Sequence, residues 1–166
     1  MQAVVVREQG AGVDDASLFA SLYPALRQFA AVTGSVDVEP DDLVQEAVAR
    51  TLRSHRLVDL DDAGAYLRRA IVNLAANRRR SAGRLRAAMN RLDRVDEAQL
   101  VEYGTDLAEL LELEPDARAL LFMVEVEGHT YADAARVLAI SEDAARTRAS
   151  RARRRLRERL EGATNE

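Results

Sequence analysis

Apolar residues recur at helical spacing in two successive stretches between Thr130 and Leu160, separated by Leu138-Ala139-Ile140. In the first, Ala134, Ala135 and Leu138 line one side, and Thr130 is placed to cap it, with Asp133 three residues on as a short capping-box acid. In the second, Ser141 stands at the cap and Glu142 and Asp143 fill the first turn, where negative charge suits the helix dipole. Ala145, Ala149, Ala152, Leu156 and Leu160 then follow at spacings of four, three, four and four. This pattern predicts two helices joined by a tight turn. Opposite the stripe lie Arg146, Arg148, Arg151, Arg153, Arg154, Arg155, Arg157 and Arg159, guanidinium forks suited to phosphate or to base edges. An arginine-rich helix alone is more often a solvated face. Its pairing with a preceding short helix points to a helix-turn-helix with a recognition helix.

Further upstream the same period repeats. Leu18, Leu22, Leu26 and Phe29 mark a helix that ends at Thr33-Gly34, with Pro24 as a kink or a start. Glu39-Pro40 opens a second, striped by Leu43, Val44, Ala47, Val48 and Leu52, whose opposite face is polar. Residues 54–62 break the pattern before a third helix from about Ala63, with Tyr66, Leu67, Ala70, Ile71 and Leu74 on its core side. Its other side gathers Arg68, Arg69, Asn73, Asn77, Arg78, Arg79 and Arg80. Asparagines beside arginines suit base edges, although two amides on a helix are also ordinary surface residues.

From Ser81 the helical signal thins, and it returns at Thr105 with Leu107, Leu110 and Leu111. Pro115 starts a segment that is apolar nearly all round and that Gly128 can end, the mark of a buried helix. The expected architecture is all-α: two small helical domains joined by a linker, the C-terminal one a helix-turn-helix. Residues 1–16 are expected to be a mobile arm, 17–82 the first domain, 83–104 the linker and 105–161 the second domain.

Charge adds what periodicity does not show. The 166 residues carry a net charge of −4, yet residues 68–94 hold 9 Arg against 1 acid and residues 136–159 hold 9 Arg against 3 acids. Residues 95–133 between them hold 1 Arg against 11 acids. Two separate basic patches predict two places that meet polyanion, because the local patch governs phosphate contact. With 48% apolar and 31% charged residues and no apolar run of spanning length, the composition is that of a soluble globular protein. Neither a secretory signal nor a transit peptide is evident, so a cytoplasmic location is expected. There is no cysteine, and His55 and His129 stand far apart, so no metal site is expected. Nor do nucleophile elbows or phosphate-cradling glycine loops occur. The pairs Asp14-Asp15, Asp41-Asp42 and Asp61-Asp62 sit where acids cap helices, so no catalytic residue and no cofactor is expected, and the chain is not read as an enzyme.

The order of these parts resembles bacterial RNA polymerase sigma factors of the extracytoplasmic-function group. The resemblance spans about residues 17–161 and rests on Asp42-Leu43-Val44-Gln45-Glu46-Ala47, Tyr66-Leu67 with Asn73-Leu74-Ala75, Val126-Glu127-Gly128 through Tyr131, Ile140-Ser141, and Arg151-Ala152-Arg153-Arg154-Arg155-Leu156. It implies that Asp42, Gln45, Glu46, Arg50 and Arg53 form the dock for core RNA polymerase. It further implies that Tyr66, Arg69, Asn73, Asn77, Arg78, Arg79 and Arg80 meet the minus-10 promoter element, Asn73 helping to hold a base flipped from the melted strand. The helix-turn-helix would read the minus-35 element in promoter DNA through Glu142, Asp143, Arg146, Thr147, Arg148 and Arg151. An anti-sigma protein is a further partner that such relatives often have.

Several positions depart from the family pattern. Ala139 replaces a turn glycine, Ala145 and Ala149 replace larger apolar residues, and Tyr66, Val72 and Asn77 stand where tryptophan, arginine and aspartate are common. The loop Leu57 to Ala63 is short and acidic. The rival reading of the residues is a dimeric helix-turn-helix regulator that does not contact polymerase.

Overall fold

The computed structural model describes residues 14–89 and 110–163. Helix α1 spans Asp15–Thr33, α2 Pro40–Leu52, and a single 3-10 turn at Leu57–Asp59 leads to the long α3, Ala63–Met89. After a helical segment that reaches residue 112 come α4 (Pro115–Leu121), a π turn (Phe122–Val126), α5 (Tyr131–Leu138) and α6 (Glu142–Ala163). No strand occurs among the described residues.

Local chemistry sets the ends of these helices. The Asp14 carboxylate accepts from Ser17 N at 2.7 Å, so α1 begins at Asp15, inside the stretch expected to be an arm. The rest of that arm, residues 1–13, lies outside the described residues. Pro24 sits within α1, where its ring is tolerated without ending the helix. At Gly34 a Cβ would meet Leu43 Cδ1 at 2.8 Å and Ala30 O at 2.9 Å, so the close approach of α1 to α2 needs glycine there. Helix α3 continues through Gly83 to Met89, further than the thinning apolar pattern predicted, because its last turns are exposed and arginine-rich and need no apolar stripe. Residues 90–104 of the expected linker, and the expected cap Thr105, lie outside the described residues.

Leu26, Phe29, Leu43, Val44, Ala47, Leu57, Leu67 and Ile71 are essentially inaccessible and make the core where α1, α2 and α3 meet. Leu120, Met123, Ala134, Val137, Ala145, Ala149 and Ala152 make the core of the second domain. Ala145 and Ala149 are completely buried, and their small side chains let α6 pack closely on α4 and α5. Not every residue of the expected apolar stripes is buried: Leu52, at the end of α2, is 47% exposed. Tyr66 is 40% exposed and its ring lies 5.6 Å from that of His55.

The two domains also touch each other, α1 and α3 against α4 and α3 against α5. Arg118 is 2% exposed and bridges them: one guanidinium nitrogen donates to the carbonyls of Leu111 and Leu113, both at 2.9 Å, and the other to those of Thr33 at 2.6 Å and Gly34 at 2.7 Å. Burial, with Arg79 close by, pushes the Arg118 pKa down to about 10.

Candidate nucleic-acid and polymerase interfaces

The helix-turn-helix is built as the capping residues dictate. Thr130 Oγ1 accepts from Asp133 N at 3.1 Å and donates to the Asp133 carboxylate at 2.6 Å, and these bonds with Arg136 hold that carboxyl below its usual pKa. Ser141 Oγ accepts from Ala144 N at 3.2 Å, opening α6. Between them Ala139 takes φ 54°, ψ 46°, the left-handed conformation in which glycine has no steric penalty. The turn geometry is kept with an alanine in the glycine position.

The arginine face of α6 is unevenly engaged. Arg146 pairs with Glu142 one turn back and lies 4.9 Å over the Tyr131 ring, so the Glu142 carboxylate has a partner on its own helix. Arg148 reaches across to Asp116, while Arg153 bonds Glu125 at 2.8 Å and the Tyr131 hydroxyl at 3.0 Å. Arg151 has no side-chain partner among the described residues, and Asp143, Thr147 and Arg151 are all exposed.

On α3 the same contrast appears. Arg69 and Asn73 are exposed and have no side-chain partner among the described residues. Arg80 donates to Asn77 at 2.6 Å. Arg78 donates to Glu46 at 2.5 Å, tying the base of this face to α2. Arg79 does not point away from the protein: it donates to Leu113 O at 2.8 Å and Glu112 O at 3.3 Å, and pairs with Glu114 at 3.2 Å. Arg68 likewise turns inward, to Glu127 at 2.8 Å.

The polar face of α2 is sorted by its first turn. Asp41 is held by the Tyr23 hydroxyl at 2.6 Å and Arg27 at 3.0 Å, and this hydrogen bond to Asp41 raises the Tyr23 pKa. Asp42, Gln45, Arg50 and Arg53 face outward. Glu46 bridges Arg50 and Arg78. Burial alone would push its carboxyl up, but the hydrogen bonds from the two arginines outweigh this and lower it.

The structure brings together residues that the sequence assigned to different promoter elements. A cleft of about 260 Å³ between the domains is lined by Arg69, Asn73 and Arg80 from α3 and by Arg148 from α6, with Glu114 and Asp116 at its side. Sequence reasoning had missed the groups that hold this arrangement, Arg118, Glu127, Arg68 and Asp116. One signal was available: Arg118 is the single basic residue among the acids of residues 95–133.

Two helical domains, one ending in a helix-turn-helix and the other exposing an arginine and asparagine face beside a helix with a polar outer face, have the architecture of a nucleic-acid-binding protein. Comparison places it further. Residues 18–85 match Sigma-70 region 2 and residues 107–156 match Sigma-70 region 4. The chain is 30% identical over 148 residues to the ECF RNA polymerase sigma factor SigM of Mycobacterium tuberculosis, covering 84% of this chain and 73% of that protein. It is similar in structure to the sigma factor RpoE from Bartonella quintana, solved in complex with the anti-sigma factor NepR, with a TM-score of 0.68 and 24% identity, covering 88% of this chain and 96% of that one. It is also similar to CnrH in complex with the cytosolic domain of CnrY, with a TM-score of 0.58 and 25% identity, covering 89% and 88% of the two chains. The chain belongs to the sigma-70 family of RNA polymerase sigma factors, in its ECF group. As such it binds core RNA polymerase and directs promoter-specific transcription initiation, and the reading as a polymerase-independent dimeric regulator is not favoured. Among the described residues no helix is long and apolar enough to cross a membrane.

Proposed function

We propose that the work of initiation is divided among three faces of this chain. The outward face of α2, Asp42, Gln45, Arg50 and Arg53 with Glu46 at its edge, docks core polymerase. The face of α3 carrying Tyr66, Arg69, Asn73, Asn77 and Arg78 to Arg80 engages the opened minus-10 strand. The first turns of α6, with Glu142, Asp143, Arg146, Thr147, Arg148 and Arg151, enter the minus-35 duplex, where Glu142 and Asp143 mainly serve the helix terminus.

The observation that carries the reading is the state of Asn73 and Arg69. Both are exposed on a helix whose opposite side is closed by Leu67, Ile71 and Leu74, and neither has a partner among the described residues. An amide and a guanidinium left free beside each other offer edge contacts of about 1 to 3 kcal/mol per base against the few kcal/mol that unstacking takes. Replacing Asn73 with alanine in an assembled holoenzyme should therefore reduce opening of promoter DNA, read by permanganate reactivity of unpaired thymines, while duplex binding through the second domain persists. Equal opening by the variant and the parent protein would contradict the assignment.

The protein acts in this reading without bond chemistry of its own, in the cytoplasm, where polymerase and DNA are. An anti-sigma partner is part of the same proposal, supported by the RpoE neighbour having been solved with one.

A further inference from the structure

The cleft between the domains has a chemistry of its own. Arg69, Asn73 and Arg80 follow one another on α3 at intervals of four and seven residues, and all three line it. Those intervals put them on one face of the helix, with Arg69 and Arg80 about 16 Å apart along its axis. The cleft is therefore elongated along α3, with a guanidinium toward each end and an amide between them.

Charge in the cleft is not balanced. Glu114 pairs with Arg79 at 3.2 Å and Asp116 with Arg148, so each acid of the lining already has an arginine. Arg69 has no side-chain partner among the described residues, and Arg80 meets only the neutral amide of Asn77 there, at 2.6 Å. Two cations are thus left without a counter-charge. Uncompensated charge in a concave site with low-dielectric walls concentrates ions of the opposite sign.

The walls between the two arginines are apolar. Val72 of the first domain and Val137 of the second are almost wholly buried, and Ala76 and Leu138 lie beside them. Such walls accept the faces of a planar ring. A volume of about 260 Å³, near the lower end of small-molecule sites, suits one ring system and its substituents rather than a polymer.

We propose that this cleft is a binding site for a small molecule with a phosphate at each end of a planar body, chemically a nucleoside bisphosphate. Arg69 takes one phosphate and Arg80 the other, through the two-pronged bonds that a guanidinium makes with phosphate oxygens. Asn73 bonds the polar edge of the base or the sugar, and the two valines cover the ring. Both domains contribute to the site, so its ligand is read by α3 and by the end of α5 together.

Calorimetric titration of the full-length protein tests this at about 0.15 M salt, where diffuse attraction between exposed charges is largely screened. The probes are the 3′,5′-bisphosphates of adenosine and guanosine, the matching 5′-monophosphates, and inorganic phosphate. At least one bisphosphate should bind one to one, about tenfold or more tightly than its monophosphate and than inorganic phosphate, because each arginine and phosphate contact is a charge-assisted bond. Arg69→Ala and Arg80→Ala should each weaken that bisphosphate at least about tenfold, with circular dichroism unchanged. At least one of the two variants should bind the monophosphate as the parent does, since that probe occupies a single end. Arg86→Ala, on the exposed last turns of α3 and outside the cleft lining, should change nothing. Absence of saturable binding by either bisphosphate, or equal affinity for inorganic phosphate, would overturn the proposal. A loss in Arg86→Ala as large as in Arg69→Ala would also overturn it, by showing only diffuse attraction to the arginines of α3. None of the probes is DNA, so the outcome is independent of the promoter contacts proposed for the same residues.

Discussion

Arg118 of the second domain donates to the main-chain carbonyl of Thr33 in the first at 2.6 Å, through a guanidinium that is almost wholly buried. The same group closes on Gly34, Leu111 and Leu113, so one side chain joins the end of α1, the segment before α4 and α4 itself. A buried cation is tolerated only where its hydrogen bonds are made, and here four carbonyl contacts offset the desolvation that lowers its pKa.

Replacing Arg118 with methionine removes the charge together with its bonds and leaves those carbonyls less well satisfied. Chemical denaturation should show a loss of about 3 kcal/mol, the scale for truncating a buried charged hydrogen-bonding group. A loss under about 1 kcal/mol would mean that the four contacts contribute little to the fold.

Ala139 in the left-handed region carries a penalty that glycine lacks. Ala139→Gly should raise stability by about 0.5 to 1 kcal/mol, the steric relief being partly offset by the greater chain entropy of glycine when unfolded. Ala139→Val should lower it, and thermal unfolding of the pair gives both signs.

Arg151 is exposed and has no partner among the described residues, so its charge is available to a phosphate without breaking a contact seen there. Arg151→Ala should weaken duplex binding and reduce the slope of log affinity against log salt by about one. Titrations at several salt concentrations measure this, and an unchanged slope would remove Arg151 from the phosphate contacts.

Acid should destabilise the protein through a few identifiable carboxylates. Asp14 is lowered by its bond to Ser17 N, Asp133 by Thr130 and Arg136, and Glu46 by Arg78 and Arg50 against an opposing effect of burial. Their folded pKa values lie below their unfolded ones. The stability they contribute is therefore complete above the unfolded values, about 3.9 for Asp and 4.3 for Glu, and is lost as pH falls through the lower folded values. Melting temperature at low salt should decline below about pH 4, and Glu46→Gln should show a shallower decline than the parent.

Helix positions, caps and the division into two domains were legible because they are local: an apolar stripe, a Thr130 or Ser141 cap and a Pro40 or Pro115 start act within a few residues. Tyr66 shows the limit of that logic. Its place on the apolar side of α3 is correct by period, but among the described residues the neighbouring surface there carries His55 and no covering helix, so it remains exposed. Arg68 and Arg79 read as members of a solvated or DNA-facing row, and only the approach of residues 111–127 turns them inward. The π turn was also out of reach, because an apolar run such as Phe122-Met123-Val124 fits several helical periods equally well. Non-local docking decided these cases, and a periodic pattern does not encode it.

The most direct test of the division of labour is made with core polymerase. The parent protein and an Asp42→Ala, Gln45→Ala variant would each be mixed with core enzyme and supplied with a library of genomic fragments, and both complex formation and the starts of transcripts would be recorded. The parent should form a stable complex and yield transcripts from a discrete set of promoters sharing two sequence elements. The variant should lose at least about tenfold in polymerase affinity, the scale expected for a central interface residue, and keep the parent's affinity for duplex DNA. A variant that binds polymerase as tightly as the parent and starts the same transcripts would contradict the assignment of the α2 face as the polymerase dock.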